Sequence, residues 1–390
     1  MSGGQDQAPT SPLSLKRARV AVSLVFVVNG AGVGLWVPQI PVIRTRLGLD
    51  SAELGVALLS TSLGAVMAMP LVSQLIARRG SRVPTIIASL CFCAVLSLPV
   101  RMGGFVSLLF ALLAFGLANG AMDVAMNVQA SRVESEMGRP VMSSFHGLFS
   151  LGSLIGAALS SLLLARGLDS PSILSVGTLS LLPVILVATT GLLTGPEPRQ
   201  TAGSRFVLPP RGVLALGLLA VIGMMSEGAV ADWSGVFLTT EVAMSVADAA
   251  LTFSALSLVS TLGRLFVGDR AVHAWGRRPV LVANALLAAS GVVIAVAAPG
   301  RWTSPIGLAI AWLGLTSFVP ILFSAAGRRQ DVSPAVAMGA VATLGYIGFL
   351  LGPPLIGFLA QSVGLRTALL VIPAACLGVA LVSARKSFRL

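Results

Sequence analysis

A chain of 390 residues that is 55% hydrophobic and only 10% charged, with a mean hydropathy of +0.93, is too apolar for a water-soluble domain, in which about 25% of residues are charged; the bilayer is its solvent. The net charge of +12 would suit a nucleic-acid partner if it formed one basic face, but Arg and Lys stand in short clusters between apolar runs, which excludes that class. Cys91, Cys93 and Cys376 fall in apolar runs with neither zinc-ligand spacing nor the even count of a disulfide framework, so they are reduced packing residues, and no metal or cofactor is expected.

Residues 1–18 begin rich in Gly, Gln, Ser and Pro and predict a disordered cytoplasmic tail. Lys16, Arg17 and Arg19 ahead of an apolar run imitate a signal peptide, but the run continues through Pro38 to Ile43, which suits a first, uncleaved span. About twelve runs of spanning length can be drawn, at 20–43, 54–76, 83–100, 105–128, 141–165, 172–194, 212–238, 249–268, 280–298, 304–326, 334–360 and 367–382. They must be helices, because an open sheet leaves its backbone unsatisfied in lipid. A Pro- and Arg-bearing linker, 195–211, separates two six-helix bundles, 19–194 and 212–390. Nineteen basic residues fall on the side of the termini and six on the other, with Arg264 inside a run, so both termini are expected in the cytoplasm.

Polar residues inside these runs are the candidates for chemistry, since an ionisable group in hydrocarbon costs about 3 kcal/mol or more. The first run carries Asn29 and Gln39, read as solute contacts, with Pro38 set to kink the helix. In the fourth, Asn119, Asp123 and Asn127 recur every four residues and predict one polar stripe, with Asp123 as proton carrier or solute acceptor. His146 opens the fifth run at a depth matching Asp123, which predicts a pair across the hairpin; the alternative is a satisfied bundle residue. The seventh holds Glu227, Asp232 and Trp233. Five residues turn a helix about 140°, so Glu227 is assigned to the cavity, and Asp232 to the outer vestibule or the interface. Trp233 is read as an outer-belt aromatic, with sugar stacking as the alternative. Arg264 lies a turn from its run's inner end, where it snorkels or bonds span-end carbonyls; a mobile charge pair is the alternative. The spacings Gly152-x-x-x-Gly156 and Gly348-x-x-x-Gly352 predict close-packing faces, or the places where the halves rock.

The halves also echo each other. ARRGSR at 77–82 follows the second run and AWGRRP at 274–279 follows the eighth, while His146 and Tyr346, like Gly152 and Gly352, stand 200 residues apart. Twelve spans, a 6+6 duplication, a central linker and these basic Gly-Arg turns resemble the major facilitator superfamily. The stretches MDVAMNVQ, GRPVMSSFHGLFSLG and EGAVADWSGVFL look like its rhizopine-transporter-like (MosC-like) branch. The resemblance implies an all-α membrane fold of two pseudo-symmetric bundles. It implies a secondary transporter, not an enzyme, moving a small polar solute across the bacterial inner membrane by alternating access; proton coupling is expected separately, from the ionisable groups placed in the low-dielectric spans, with Asp123, Glu227, His146 and Asp232 as its candidates. A sugar-like or cyclitol-like solute and a monomer are further implications. It marks Arg79, Gly80, Arg82, Asp269, Gly276, Arg277 and Arg278 as gating or loop residues and Tyr346 as a cavity residue. Departures are visible: Ala77 and His273 stand where an acid is usual, no Arg stands near Gly116, and no Pro stands beside Gly152. Two rivals are a proton-driven exporter of drugs or metabolites and a non-transporting membrane sensor or scaffold. ATP drive and membrane enzymology find no motif here.

Overall fold

The protein is described by a computed structural model, which covers residues 12–139, 141–195, 211–329, 331–332 and 334–385. The described residues are helical with no strand. Eleven helices are long and apolar enough to cross a membrane: α1 (Leu13–Leu47), α2 (Ser51–Arg79), α3 (Arg82–Arg101), α4 (Phe105–Met137), α5 (Met142–Ala165), α6 (Ser170–Thr189), α7 (Gly212–Thr240), α9 (Arg277–Ala297), α10 (Thr303–Gly327), α11 (Val336–Val363) and α12 (Leu365–Ala384). The twelfth, α8 (Val246–Leu262), is shorter and continues through a π turn, Gly263–Val267, into Gly268–Trp275. Twelve crossings return the chain to the face from which it set out, the terminal face; the other is the far face.

Local chemistry explains where the helices begin and break. On the far face α2 opens with a capping box: Glu53 N donates to Asp50 Oδ1 at 2.8 Å, and Asp50 N donates to Glu53 Oε2 at 3.0 Å. Asp169 caps α6 and Ser245 caps α8 with one bond each, accepting from the Ser172 and Asp248 amides. On the terminal face the Glu134 carboxylate accepts from the amides of Val141 and Met142 at 2.7 Å each, which closes the turn from α4 into α5. The Pro38 region breaks α1 with a 3₁₀ turn, Val37–Gln39. Helix already runs at Pro12–Trp36, so the expected tail is corrected: residues 12–18 are helical and lead directly through α1, and Ala18 is fully buried. Residues 1–11 lie outside the described residues, as does 196–210, nearly all of the expected linker.

The two halves use the same close contacts. α1 packs along α5, where Gly152 and Gly156 meet the Val27 and Ala31 carbonyls; α7 packs along α11, where Gly348 meets the Val221 carbonyl. Both glycine spacings therefore act within a half. Contact between the halves runs instead along α2 with α11 and α5 with α8. The outer surface is apolar: Phe110 is 68% exposed, Leu179 69% and Leu381 68%, as a lipid-facing surface requires.

Candidate functional site

Two adjoining cavities lie between the halves, of about 360 and 550 Å³. The first holds Asp123, carried on α4. Asn127, one turn further on, donates Nδ2 to the Asp123 carbonyl at 2.8 Å and to its Oδ1 at 3.1 Å. The Tyr346 hydroxyl, from α11 of the other half, donates to Oδ2 at 3.3 Å. Both carboxylate oxygens are thus held, one of them by the opposing half. Asn119 lines the cavity and accepts from Asn29 Nδ2 at 3.0 Å, so the expected stripe divides: Asn119 and Asp123 face the cavity, while Asn127 does not line it.

Glu227 and Arg264 form the partition. Their side chains pair at 2.9 Å, and both line both cavities together with Phe349. Arg264 leaves the chain from the π turn and also donates to Ser150 Oγ at 3.4 Å, linking α8 to α5 across the halves. The expected snorkelling is corrected, because a carboxylate within hydrogen-bond reach holds the guanidinium more tightly than the interface would.

At the far-face end of the first cavity stand Asp232 and four aromatic rings. Trp36 and Phe115 come from the first half, with centroids 5.3 Å apart; Phe253 and Trp312 come from the second, 6.0 Å apart. Asp232 lines the same cavity as Glu227, which corrects the argument from rotation. Gly228 and Ala231 between them carry almost no side chain, so the cavity wraps a wide arc of α7 and meets both acids. Trp233 is corrected as well: it is fully buried with its indole N–H unpartnered, neither belt nor cavity wall.

Other candidates fall elsewhere. His146 does not pair with Asp123. Because α5 lies along α1, its imidazole meets the Phe26 ring edge-on at 5.4 Å and lines the second cavity. Asn29 and Gln39 are buried ties rather than solute contacts; Gln39 Nε2 donates to Ser160 Oγ at 2.8 Å, joining α1 to α5.

The second cavity ends among Met142, Ser143, Val272 and Arg277, on the terminal face. Toward the far face the halves are stitched shut. Ser161 Oγ donates to the Ala247 carbonyl at 2.8 Å, Ser254 Oγ to the Leu154 carbonyl at 3.0 Å, and the Ser153 and Ser257 hydroxyls lie 3.2 Å apart. On the other flank Ser62 Oγ donates to the Phe349 carbonyl at 3.2 Å, and the Gly55 and Gly357 backbones touch.

A bipartite helical bundle with a carboxylate-bearing central cavity has known counterparts. The family model of the Major Facilitator Superfamily matches residues 22–327. The chain belongs to the major facilitator superfamily. It is 39% identical over 351 residues to an uncharacterized MFS-type transporter of Yersinia pestis, covering 90% of this chain and 91% of that one. It is 32% identical over 377 residues to the membrane protein MosC of Rhizobium meliloti, covering 95% and 89%. Among solved structures, a mutant of the nucleoside transporter NupG superposes with a TM-score of 0.78 at 13% identity, covering 94% of this chain and 98% of that one. A bacterial homolog of the human lysosomal transporter Spinster superposes at 0.70 and 17%, covering 96% of each. These two likenesses show the fold.

The loops that carry the superfamily resemblance take matching shapes. Gly80 and Gly276 both adopt positive φ, +71° and +85°, where a side chain is strained. Arg82 donates to the Thr189 carbonyl at 3.3 Å, and buried Gln129 donates to Ser81 Oγ at 2.7 Å, so the first loop is tied to α6 and α4. Arg79 is exposed, Arg277 lines the second cavity, Arg278 is half-buried, and the Asp269 side chain lies outside the described residues. Gln129, the serine seam and the aromatic end escaped sequence reasoning. The serines did leave a signal: Ser150, Ser153 and Ser161, like Ser254 and Ser257, keep helical spacing on one face.

Proposed function

We propose that this transporter carries a small polar solute across the bacterial inner membrane by alternating access, with both termini cytoplasmic and the cavities open to the cytoplasm in this structure. One observation carries the reading: cavities between the halves reach the terminal face, while the far face is closed by the serine seam and the Gly55–Gly357 contact. The excess of basic residues on the terminal side supports the orientation, and the bacterial relatives support the membrane. Hydroxyls of Thr61, Ser62, Ser150 and Ser257 with the Asn119 amide line the wall and suit a sugar-like or cyclitol-like body. Proton coupling is part of the proposal. Asp123 and Glu227 sit where the halves meet: Tyr346, which holds Asp123, comes from the opposing half, and Arg264, which holds Glu227 within its own half, also reaches Ser150 across the halves, so both acids are placed to feel the halves rock.

The test needs no known solute. Ala231, on the cavity wall, is replaced by Cys in a chain whose three cysteines are Ser or Ala. A membrane-impermeant thiol reagent is then applied to right-side-out and inside-out vesicles. Alternating access requires labelling from both sides; labelling from the cytoplasmic side alone means a fixed sensor or scaffold.

A further inference from the structure

Three carboxylates line the first cavity, and the protein answers only two of them. Asp123 is held by Asn127 and Tyr346, and Glu227 by Arg264. Among the described residues no hydrogen bond or ion pair reaches the Asp232 carboxylate, and Arg264, the one cation on that wall, is already taken. Around the far-face end where Asp232 stands, the wall is aromatic. Trp36, Phe115, Phe253 and Trp312 all lie on the far-face halves of their helices, two from each half of the molecule. Ring faces attract a cation through their quadrupoles, and indole does so most strongly. A lone carboxylate in a wall of low polarity is costly without a counter-charge. A neutral polyol would find few free donors at this end: Thr61 stands level with Phe115, but the Ser62 hydroxyl already donates to the Phe349 carbonyl, and Asn119 and Ser150 lie a turn or more further toward the terminal face.

Given the reading above that this cavity takes the solute, we infer that the solute carries one ammonium group, seated at the far-face end between the Asp232 carboxylate and the rings of Trp36, Phe115, Phe253 and Trp312. Its polar body points back toward the serine and asparagine wall. Both halves contribute rings, so the seated cation bridges them, and the seam must part for it to leave toward the far face.

Binding to the full chain in lipid nanodiscs tests this by calorimetry, with two matched pairs: choline against 3,3-dimethylbutan-1-ol, and glucosamine against glucose. The expected result is that at least one amine binds tenfold or more tightly than its neutral partner. Asp232→Asn should erase that preference, Asp232→Glu should keep part of it, and Asp169→Asn, a carboxylate change outside both cavities, should keep it. Chromatographic profile and thermal midpoint confirm that each variant is folded. The proposal is overturned if neither amine binds at tens of millimolar, if each neutral partner binds as well as its amine, or if the preference survives Asp232→Asn. Those outcomes leave the two-sided labelling of the Ala231→Cys chain untouched, so failure of the solute class is distinct from failure of the transport mechanism.

Discussion

Arg264 is held in place by one carboxylate, and most of its environment follows from that bond. Glu227 and Arg264 are each about three-quarters buried, so removing one partner strands the other charge in a medium that solvates it poorly. Arg264→Gln alone should lower stability by about 2 kcal/mol, a shift of a few degrees in thermal midpoint, and adding Glu227→Gln should recover part of it. A double-mutant cycle on thermal unfolding in detergent checks this; strictly additive losses would show the pair to be uncoupled. Asp123 poses a functional question. Asn in its place keeps one acceptor for Tyr346 but carries no exchangeable charge. Asp123→Asn protein should therefore still exchange solute between equal pools while losing accumulation driven by a pH gradient. Normal accumulation would move the coupling to another group.

At the scale of the helix, close approach is the controlling quantity. A Cβ on Gly152 would run into the Val27 carbonyl of α1, whereas one on Gly378 of α12 meets nothing within 4 Å. Gly152→Ala should cost about 1–3 kcal/mol by forcing α1 and α5 apart, while Gly378→Ala should be neutral or stabilising by up to about 1 kcal/mol, as helix propensity favours Ala. Thermal midpoints of the two variants, measured side by side, decide between packing and propensity. The cap of α6 makes a pH-dependent contribution. Hydrogen bonds from the Ser172 side chain and backbone hold the Asp169 carboxyl below the usual carboxylate range. A depressed folded-state pKa stabilises above the unfolded value and is lost as pH falls through the folded one. Asp169→Asn should therefore differ from the parent at neutral pH, and the difference should shrink below about pH 4. Stability curves that stay parallel into acid would show that the charge plays no part in the cap.

For the whole molecule, the closed far face makes the sharpest prediction. Ser161 and Ala247 are joined at the far-face ends of α5 and α8. A Ser161→Cys/Ala247→Cys pair in the cysteine-free chain, once oxidised, should abolish labelling of Ala231→Cys from the far side, leave labelling from the terminal side, and recover fully on reduction. Unchanged far-side labelling would mean that the seam is not the gate. The basic-residue asymmetry makes a second prediction at this scale: a C-terminal fluorescent-protein fusion should glow and a C-terminal alkaline phosphatase fusion should be silent.

Hydropathy carried the twelve spans and their order, because lipid imposes the same demand on every crossing and a local run of residues either meets it or does not, while the duplication was read from the repeated Gly-Arg turns and the 200-residue offset. The same logic marked Asp123, Glu227 and Arg264 as exceptional, since an ionisable group in such a run stands out without any knowledge of its neighbours. What those groups touch was settled elsewhere. That His146 turns to Phe26, that Arg264 faces Glu227, that Asn29 and Gln39 are internal ties, and that Asp232 shares a cavity with four rings all depend on which helices lie side by side. The glycine contacts of α1 with α5 and the serine seam of α5 with α8 decide that, and both are pairings between residues far apart in the chain. Periodicity tells which face a residue occupies on its own helix, but the partner that face meets is a property of the packed bundle.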